Sequence, residues 1–329
     1  MAYFATALAT PNIAVVKYWG KRDEELMLPT NSSLSFTMDE TLKTITEIGF
    51  DKSLRETSLI LDGKKIIGAE LAGINKVFSY LHDKYDVKMH AKITSKNYFP
   101  TAAGMASSAS GYAALAFAIN AALGLQLSGK ELSIIARLGS GSASRSVYGG
   151  FVEWQKGTKA DGTDSFAVQI ADENHWLQIR NVIAIVDAKK KKVPSRAGMR
   201  ETVATSRLFK ERMKGMDRTL VDMKRAVSSK DFEGFAKITM RESNSMHAVM
   251  ADAKPPIVYL NDVSIKIIAG VEAINKQDIV AGYTFDAGPN AHIYTLDENV
   301  SGVKKMLAGI SGIRKTIVCR VGSGPRILG

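Results

Sequence analysis

Hydrophobic and polar positions alternate along "LKTITEIGF" from Leu42, the period of a half-buried strand. In "SLILDGKKII" two short apolar runs flank Asp62-Gly63, a dipeptide suited to a tight hairpin turn. The spacing then changes: "LAGINKVFSYLHDKY" carries apolar residues at helical intervals, and "VKMHAKITS" returns to alternation. A small, polar stretch, "PTAAGMASSASG" at residues 100–111, leads into the apolar helical run "YAALAFAINAAL". Next, "SGKELSIIARLGSGS" opens with Ser128 three residues before Glu131, a capping box, and predicts a helix ending near Gly139. "GGFVEWQ" and "RNVIAIVDA" read as further strands.

Beyond about Ala188 the texture shifts to long amphipathic helices over residues 198–250, with another around 263–275. Two strands then flank the turn "DAGPN", and a final helix and the strand "KTIVCRV" follow. The shift at "DAKKKKVPSR" predicts an α+β protein of two lobes, residues 1–187 and 188–329, joined without a disordered linker.

Composition narrows the function. The 329 residues carry a formal charge of +11, which favours anionic partners, yet basic and acidic residues are interspersed. The dense basic run is Lys189, Lys190, Lys191 and Lys192, most of which reads as a solvated charge run. The single Cys319 excludes an intramolecular disulfide framework, and its alternating surroundings predict a buried structural thiol. No charged and apolar leader opens the chain and no apolar run reaches about 18 residues, so neither secretion nor a membrane span is expected and a cytoplasmic setting is the default. An RNA-binding module would need a clustered basic face and exposed stacking aromatics, and the sequence offers neither clearly.

Several nucleotide and metal signatures are absent: no Walker loop, no protein-kinase set, and no metal spacing among the five His residues. "GSGSAS" has two glycines of a dinucleotide fingerprint but lacks the third and follows a helix. The 100–111 loop pairs a flexible Gly104 and small Ala102, Ala103 and Ala106 with the hydroxyls of Ser107 and Ser108 at a helix start. Such a junction can cradle an anion on free backbone N–H groups, and it can equally serve close helix–sheet packing. Two further stretches weigh towards the anion. "PNIAVVKYWGKRD" sets Asn12, Lys17, Tyr18, Lys21 and Arg22 in a short apolar segment. "ARLGSGSASRSVYGG" sets Arg145 among Ser140, Ser142, Ser144 and Ser146, where a guanidinium suits bidentate carboxylate or phosphate binding.

Together these stretches, with "SNSMHA", "PPIVYLND", "YTFDAGPNAHIY" and "VGSGP", resemble the diphosphomevalonate decarboxylase family of the GHMP kinase superfamily, nearly end to end. The resemblance implies a ribosomal protein S5 domain 2-like N-terminal lobe, a ferredoxin-like C-terminal lobe and a site in the cleft between them. It implies ATP-dependent decarboxylation of 5-diphosphomevalonate through phosphorylation of the 3-hydroxyl, with Mg²⁺ carried by ATP, and a homodimer. By resemblance, Asp286 and Lys17 are the catalytic pair. Asn12, Tyr18, Lys21, Ser140, Gly141, Ser142, Arg145, Ser195, Arg196 and Met199 bind substrate. Ala103, Gly104, Met105, Ala106, Ser107 and Ser108 cradle the ATP phosphates, with Ser107 a candidate to touch the metal and Lys191 and Lys192 near the nucleotide. Relatives on the same scaffold that act as mevalonate 3-kinases or phosphomevalonate decarboxylases are the alternatives. The joint presence of Asp286 and Lys17 disfavours the former, and the retained "KYWGKR" and "PSR" favour the diphosphate over the latter.

Overall fold

The alternating segment after Leu42 forms the strand Thr44–Asp51 (β6), in which Thr44, Thr46, Ile48 and Phe50 are buried. The computed structural model describes residues 3–99, 107–186 and 193–328. Around β6 a six-stranded sheet runs in the order Arg326–Ile327 (β16), Tyr3–Ala9 (β1), β6, His90–Asn97 (β9), Ser58–Leu61 (β7) and Lys64–Ile66 (β8). Asp62 and Gly63 turn β7 into β8 with φ of 49° and 79°, the doubly positive geometry that favours Asp-Gly in a two-residue hairpin. Over this sheet lie Ala72–Tyr85 (α1), Ser107–Leu123 (α2) and Gly129–Gly139 (α3). Helix α2 buries Ala109, Ala113, Ala114, Ala116 and Ala118, so its backbone approaches β1 and β6 closely. Helix α3 starts at the Ser128–Glu131 capping box, as its sequence predicts.

A second sheet, in the order Ala167–Ala171 (β11), Phe151–Trp154 (β10), Ser33–Thr37 (β5) and Asn12–Val16 (β2), leaves β2 at its edge. In β5 the apolar Leu34 and Phe36 join the core, while Ser33, Ser35 and Thr37 alternate with them and are also buried. Lys21–Asp23 (β3) and Leu28–Pro29 (β4) form a short ribbon.

The second lobe is built on an antiparallel sheet in the order Ala281–Phe285 (β13), Ala291–Leu296 (β14), Ile179–Val186 (β12) and Ile313–Cys319 (β15). Strand β12 is buried along its whole length, its apolar run Val182–Val186 following the buried polar Arg180 and Asn181. Val182, Ala184 and Val186 pack with Asp262–Ile274 (α7) and Val300–Ala308 (α8), whereas Ile179, Ile183 and Ile185 pack with Arg207–Ser229 (α5) and Phe232–Ala251 (α6). Ser195–Thr205 (α4) leads into α5. The expected 187/188 boundary and the basic run 189–192 lie outside the described residues. Strand β12, which precedes that boundary, belongs to the sheet of the second lobe, and β16 near the C-terminus pairs with β1 in the first, so the lobes do not divide at that single point of the chain.

The lobes share one core. Phe36 and Phe151 of the first lobe meet Tyr294 and Phe235 of the second, with ring centroids 5.2 and 6.3 Å apart. A buried polar link runs beside that core. Glu242 of α6 accepts the backbone N–H of Lys17, just after β2, at 3.1 Å. The same carboxylate binds Arg212 of α5 at 2.7 and 3.3 Å, and both side chains are at most 4% exposed. Removing one partner of such a pair leaves an uncompensated buried charge. Glu242→Ala is therefore expected to lower unfolding free energy by about 3–5 kcal/mol. Arg212→Met with Glu242→Gln, which removes both charges and keeps an acceptor for Lys17, is expected to cost less than that single change. Urea unfolding of the three proteins checks this, and a double variant at least as unstable as Glu242→Ala contradicts it.

Candidate active site

A cavity of about 450 Å³ opens where the end of β2, the start of α2, the turn after α3, the start of α4 and the β13–β14 turn converge. Asn12, Lys17, Tyr18, Lys21, Ser107 and Ser108 line it, as do Ser140, Gly141, Ser142 and Arg145. Ser195, Arg196, Met199 and Asp286 complete the set, so the structure gathers around one cavity every site residue named from the sequence that it describes. Ala103, Gly104, Met105 and Ala106, with Lys191 and Lys192, lie outside the described residues.

At its centre Lys17 Nζ donates to Asp286 Oδ1 at 2.6 Å. Lys17 comes from the first lobe and Asp286 from the tight turn between β13 and β14, where the Gly288 N–H donates to the Asp286 carbonyl at 2.7 Å. The lysine side chain is 1% exposed, while that of Asp286 keeps 41% of its surface open and borders the cavity. Burial alone would raise the Asp286 carboxyl. The charge and hydrogen bond of Lys17, aided by Arg145, outweigh it and hold the group below the usual carboxylate range. Burial pulls the Lys17 ammonium down, with Asp286 opposing that pull and Arg145 adding to it. The pair thus presents an ionised carboxylate to the cavity, with a cation fixed beside it.

Arg145 projects from the 3₁₀ segment Gly141–Val147 that follows α3. Its Nε donates to Asn12 Oδ1 at 3.1 Å and its Nη1 to Ser33 Oγ at 2.7 Å. Asn12 is held in turn by donating to Ser146 Oγ at 2.8 Å and to the Ser142 carbonyl at 3.0 Å. Burial lowers Arg145 to about 10, leaving it charged at neutral pH. Among the described residues it has no carboxylate partner, although it is only 2% exposed. A buried guanidinium held by neutral groups is a ready receptor for a carboxylate or phosphate. Gly141 lets the segment pass close: a Cβ there would come within 2.8 Å of the Trp154 ring and 3.0 Å of the Tyr18 hydroxyl.

The other end of the cavity is built for an anion of higher charge. The Lys21 side chain is 1% exposed, and Arg196 Nη2 donates to the Gly139 carbonyl at 2.9 Å. The Tyr18 hydroxyl is buried and has no hydrogen-bond partner among the described residues, and burial, then the charge of Glu24, raises its ionisation, so it remains a neutral donor. Ser195 opens helix α4, whose first N–H groups receive no side-chain cap. Met199, Met246, Met27 and Trp19 supply the apolar lining.

A second cavity, of about 320 Å³, lies between the β7–β8 hairpin, β9 and α2. Leu59, Leu61, Ile74, Ile93 and Tyr112 line it with Ser95 and Asn97, and it shares Ser107 and Ser108 with the first. Ser108 Oγ lies 3.1 Å from Ser140 Oγ, bridging the two. Among the described residues no group of three or more His, Cys, Asp or Glu could hold a metal ion.

The sequence reading did not single out the supports. Glu242, Arg212 and Ser33 act through partners far away in the chain. Met246 and His247 lie inside the quoted "SNSMHA", but no local signal separates them from an ordinary helix face. His292 is buried and His247 half-buried beside the ion pair. Burial first, then the Lys17 charge in His247 and, against the opposing pull of Asp286, in His292, brings both down to about 4. Between about pH 6.5 and about 4 the unfolded chain takes up protons at both positions while the folded chain does not. Stability is therefore full above about 6.5 and falls as pH drops through that window. Urea midpoints across this range should fall less steeply for His247→Gln than for the wild type, and parallel curves would contradict the assignment.

The chain is similar to known proteins over nearly its whole length. Residues 9–167 match the family described as Diphosphomevalonate decarboxylase-like N-terminal domain, and residues 181–310 match the Mevalonate 5-diphosphate decarboxylase C-terminal domain. A curated diphosphomevalonate decarboxylase of Candida albicans is 45% identical over 353 aligned residues, covering 98% of this chain and 98% of the relative. The crystal structure of mevalonate diphosphate decarboxylase from Staphylococcus aureus matches with a TM-score of 0.93 and 37% identity, covering 100% of this chain and 99% of that one. A solved structure described as MDDEF in complex with MVAPP, AMPPCP and magnesium matches with a TM-score of 0.92 and 36% identity, covering 100% and 99%.

Proposed function

The chain belongs to the diphosphomevalonate decarboxylase family, and from that premise we propose how its own residues carry out the family's reaction. The reaction is the ATP-dependent conversion of 5-diphosphomevalonate to isopentenyl diphosphate, ADP, phosphate and CO₂ on a two-lobe GHMP kinase fold. One observation carries the reading: an ionised Asp286, paired with Lys17 at 2.6 Å, faces a cavity in which the buried Arg145 has no carboxylate partner among the described residues.

Asp286 accepts the proton of the tertiary 3-hydroxyl as that oxygen bonds to the γ-phosphorus and the bond from that phosphorus to the β,γ-bridging oxygen breaks. Lys17 keeps the carboxylate ionised beforehand and stands beside the transferring group as negative charge moves onto it. Arg145, fixed by Asn12 and Ser33, holds the substrate carboxylate. The C3–O bond then breaks with loss of phosphate, and the C1–C2 pair moves into a C2–C3 double bond as CO₂ departs. Ser140, Gly141 and Ser142 flank the substrate. Lys21, Tyr18, Ser195 and Arg196 receive the 5-diphosphate, and Met199 packs near the methyl group.

The second cavity suits the nucleoside of ATP, since its apolar lining meets the phosphate end at Ser107 and Ser108. In this reading the loop from Ala103 to Ser108 cradles the phosphates. The Ser107 hydroxyl would be a ligand for the Mg²⁺ carried by ATP, which would neutralise charge on the transferring group. A homodimer and a cytoplasmic setting belong to the same proposal and rest on family resemblance.

The test supplies Mg-ATP with mevalonate, 5-phosphomevalonate or 5-diphosphomevalonate and measures ADP and CO₂ in one tube. Equal ADP and CO₂ from the diphosphate are expected. Asp286→Asn should lower kcat by about 10²–10⁴-fold, the contribution of a positioned base. ADP without CO₂ would make the chain a kinase and overturn the roles given to Arg145 and Asp286.

A further inference from the structure

Of the four cationic side chains that line the substrate cavity, two already hold carboxylates of the protein. Lys17 holds Asp286, and Lys21 Nζ holds Glu24 Oε2, also at 2.6 Å. Arg145 and Arg196 have no carboxylate partner among the described residues. The two occupied pairs differ in what can move. Asp286 is a short side chain on a tight inter-strand turn. Glu24 is a long side chain, 47% exposed, in the turn that connects β3 to β4.

The backbone of that turn is anchored independently of Glu24's carboxylate. Lys76 of α1 donates to the carbonyls of Glu24 and Glu25 at 2.6 and 3.1 Å and pairs with the Glu25 carboxylate at 3.3 Å. The Leu26 N–H donates to Asp23 Oδ1 at 2.7 Å. Glu24 can therefore leave Lys21 by rotating its own side-chain bonds, with no backbone displacement. Lys21 cannot follow it into solvent, because its side chain is 1% exposed. A buried ammonium facing an anion site needs a counter-ion when that site is empty.

We propose that Glu24 is a displaceable counter-ion: it holds Lys21 in the free enzyme and is exchanged for the substrate's diphosphate oxygens on binding, so that it limits substrate affinity without touching the reacting atoms. The proposal rests on the assignment of Lys21 to the diphosphate. Arg196, the nearby cation that also faces this end, has no such competitor and is the group an incoming diphosphate meets unpaired. The exchange is purely ionic, and Glu24 swings towards solvent as the phosphate oxygens take its place.

The experiment compares the wild type with Glu24→Gln and Glu25→Gln. It measures KM for 5-diphosphomevalonate at saturating Mg-ATP and Kd by calorimetry without nucleotide, at one ionic strength. Glu24→Gln should lower both constants by about three- to tenfold, the range for loss of one partly exposed charge-assisted contact. The effect should be in KM and not in a gain of kcat. Glu25→Gln, which removes a carboxylate facing Lys76, should leave both constants near the wild-type values. Unchanged or weaker binding by Glu24→Gln overturns the proposal, and so does equal tightening in both variants, which would mark a general field of the turn. A wild-type protein that neither binds nor turns over the diphosphate removes the functional reading itself, and the exchange falls with it.

Discussion

The Lys17–Asp286 ion pair is the contact on which the site depends, because it ties a cation from one lobe to a carboxylate from the other. Each charge supports the other: Asp286 opposes the pull of burial on the Lys17 ammonium, and Lys17 leads the charges that hold the Asp286 carboxyl low against burial. The surrounding architecture fixes both ends. Glu242 and Arg212 hold the backbone at Lys17, and the β13–β14 turn holds Asp286. The aromatic contacts of Phe36 and Phe151 with Tyr294 and Phe235 prevent the lobes from separating without exposing the common core.

Around that pair the cavity is graded in charge. At one end Arg145 is locked by Asn12 and Ser33, which gives it direction without neutralising it. At the other, Lys21 lies with Arg196, the second residue of α4, whose start has no side-chain cap. Between them lie hydroxyls and an apolar lining of Trp19, Met199 and Met246. A substrate with a carboxylate at one end, a branched tertiary alcohol in the middle and phosphate at the other matches this sequence of environments. The imidazoles of the half-buried His247 and the buried His292, neutral at ordinary pH, lie beside the pair without adding positive charge that would weaken the base.

Much of this was legible because it is local. Alternation around β6, the Asp62-Gly63 turn and the Ser128–Glu131 box each depend on neighbours a few residues away, and the structure contains all three. The residues lining the cavity were legible through the resemblance of their motifs to the family; the local pattern alone left each stretch open between an anion site and ordinary packing. What the sequence hides is the pairing between distant segments. Glu242 meets Lys17 across 225 positions, and on its helix it is one of two acidic residues, with Glu233. Ser33 looks like any polar residue of an alternating strand until Arg145, 112 residues later, is seen to donate to it. The Lys21–Glu24 contact is only three residues long, yet a turn of that composition usually exposes both charges, so its burial could not be read from spacing.

The most direct test of the account is a crystal structure of the chain with 5-diphosphomevalonate, a non-hydrolysable ATP analogue and Mg²⁺. The account predicts the 3-hydroxyl oxygen within about 2.6–3.2 Å of the Asp286 carboxylate, the reach of a working base. Lys17 should remain paired to Asp286, and the substrate carboxylate should lie on Arg145. A substrate bound with its hydroxyl turned away from Asp286, or with its carboxylate on Lys21, would contradict it.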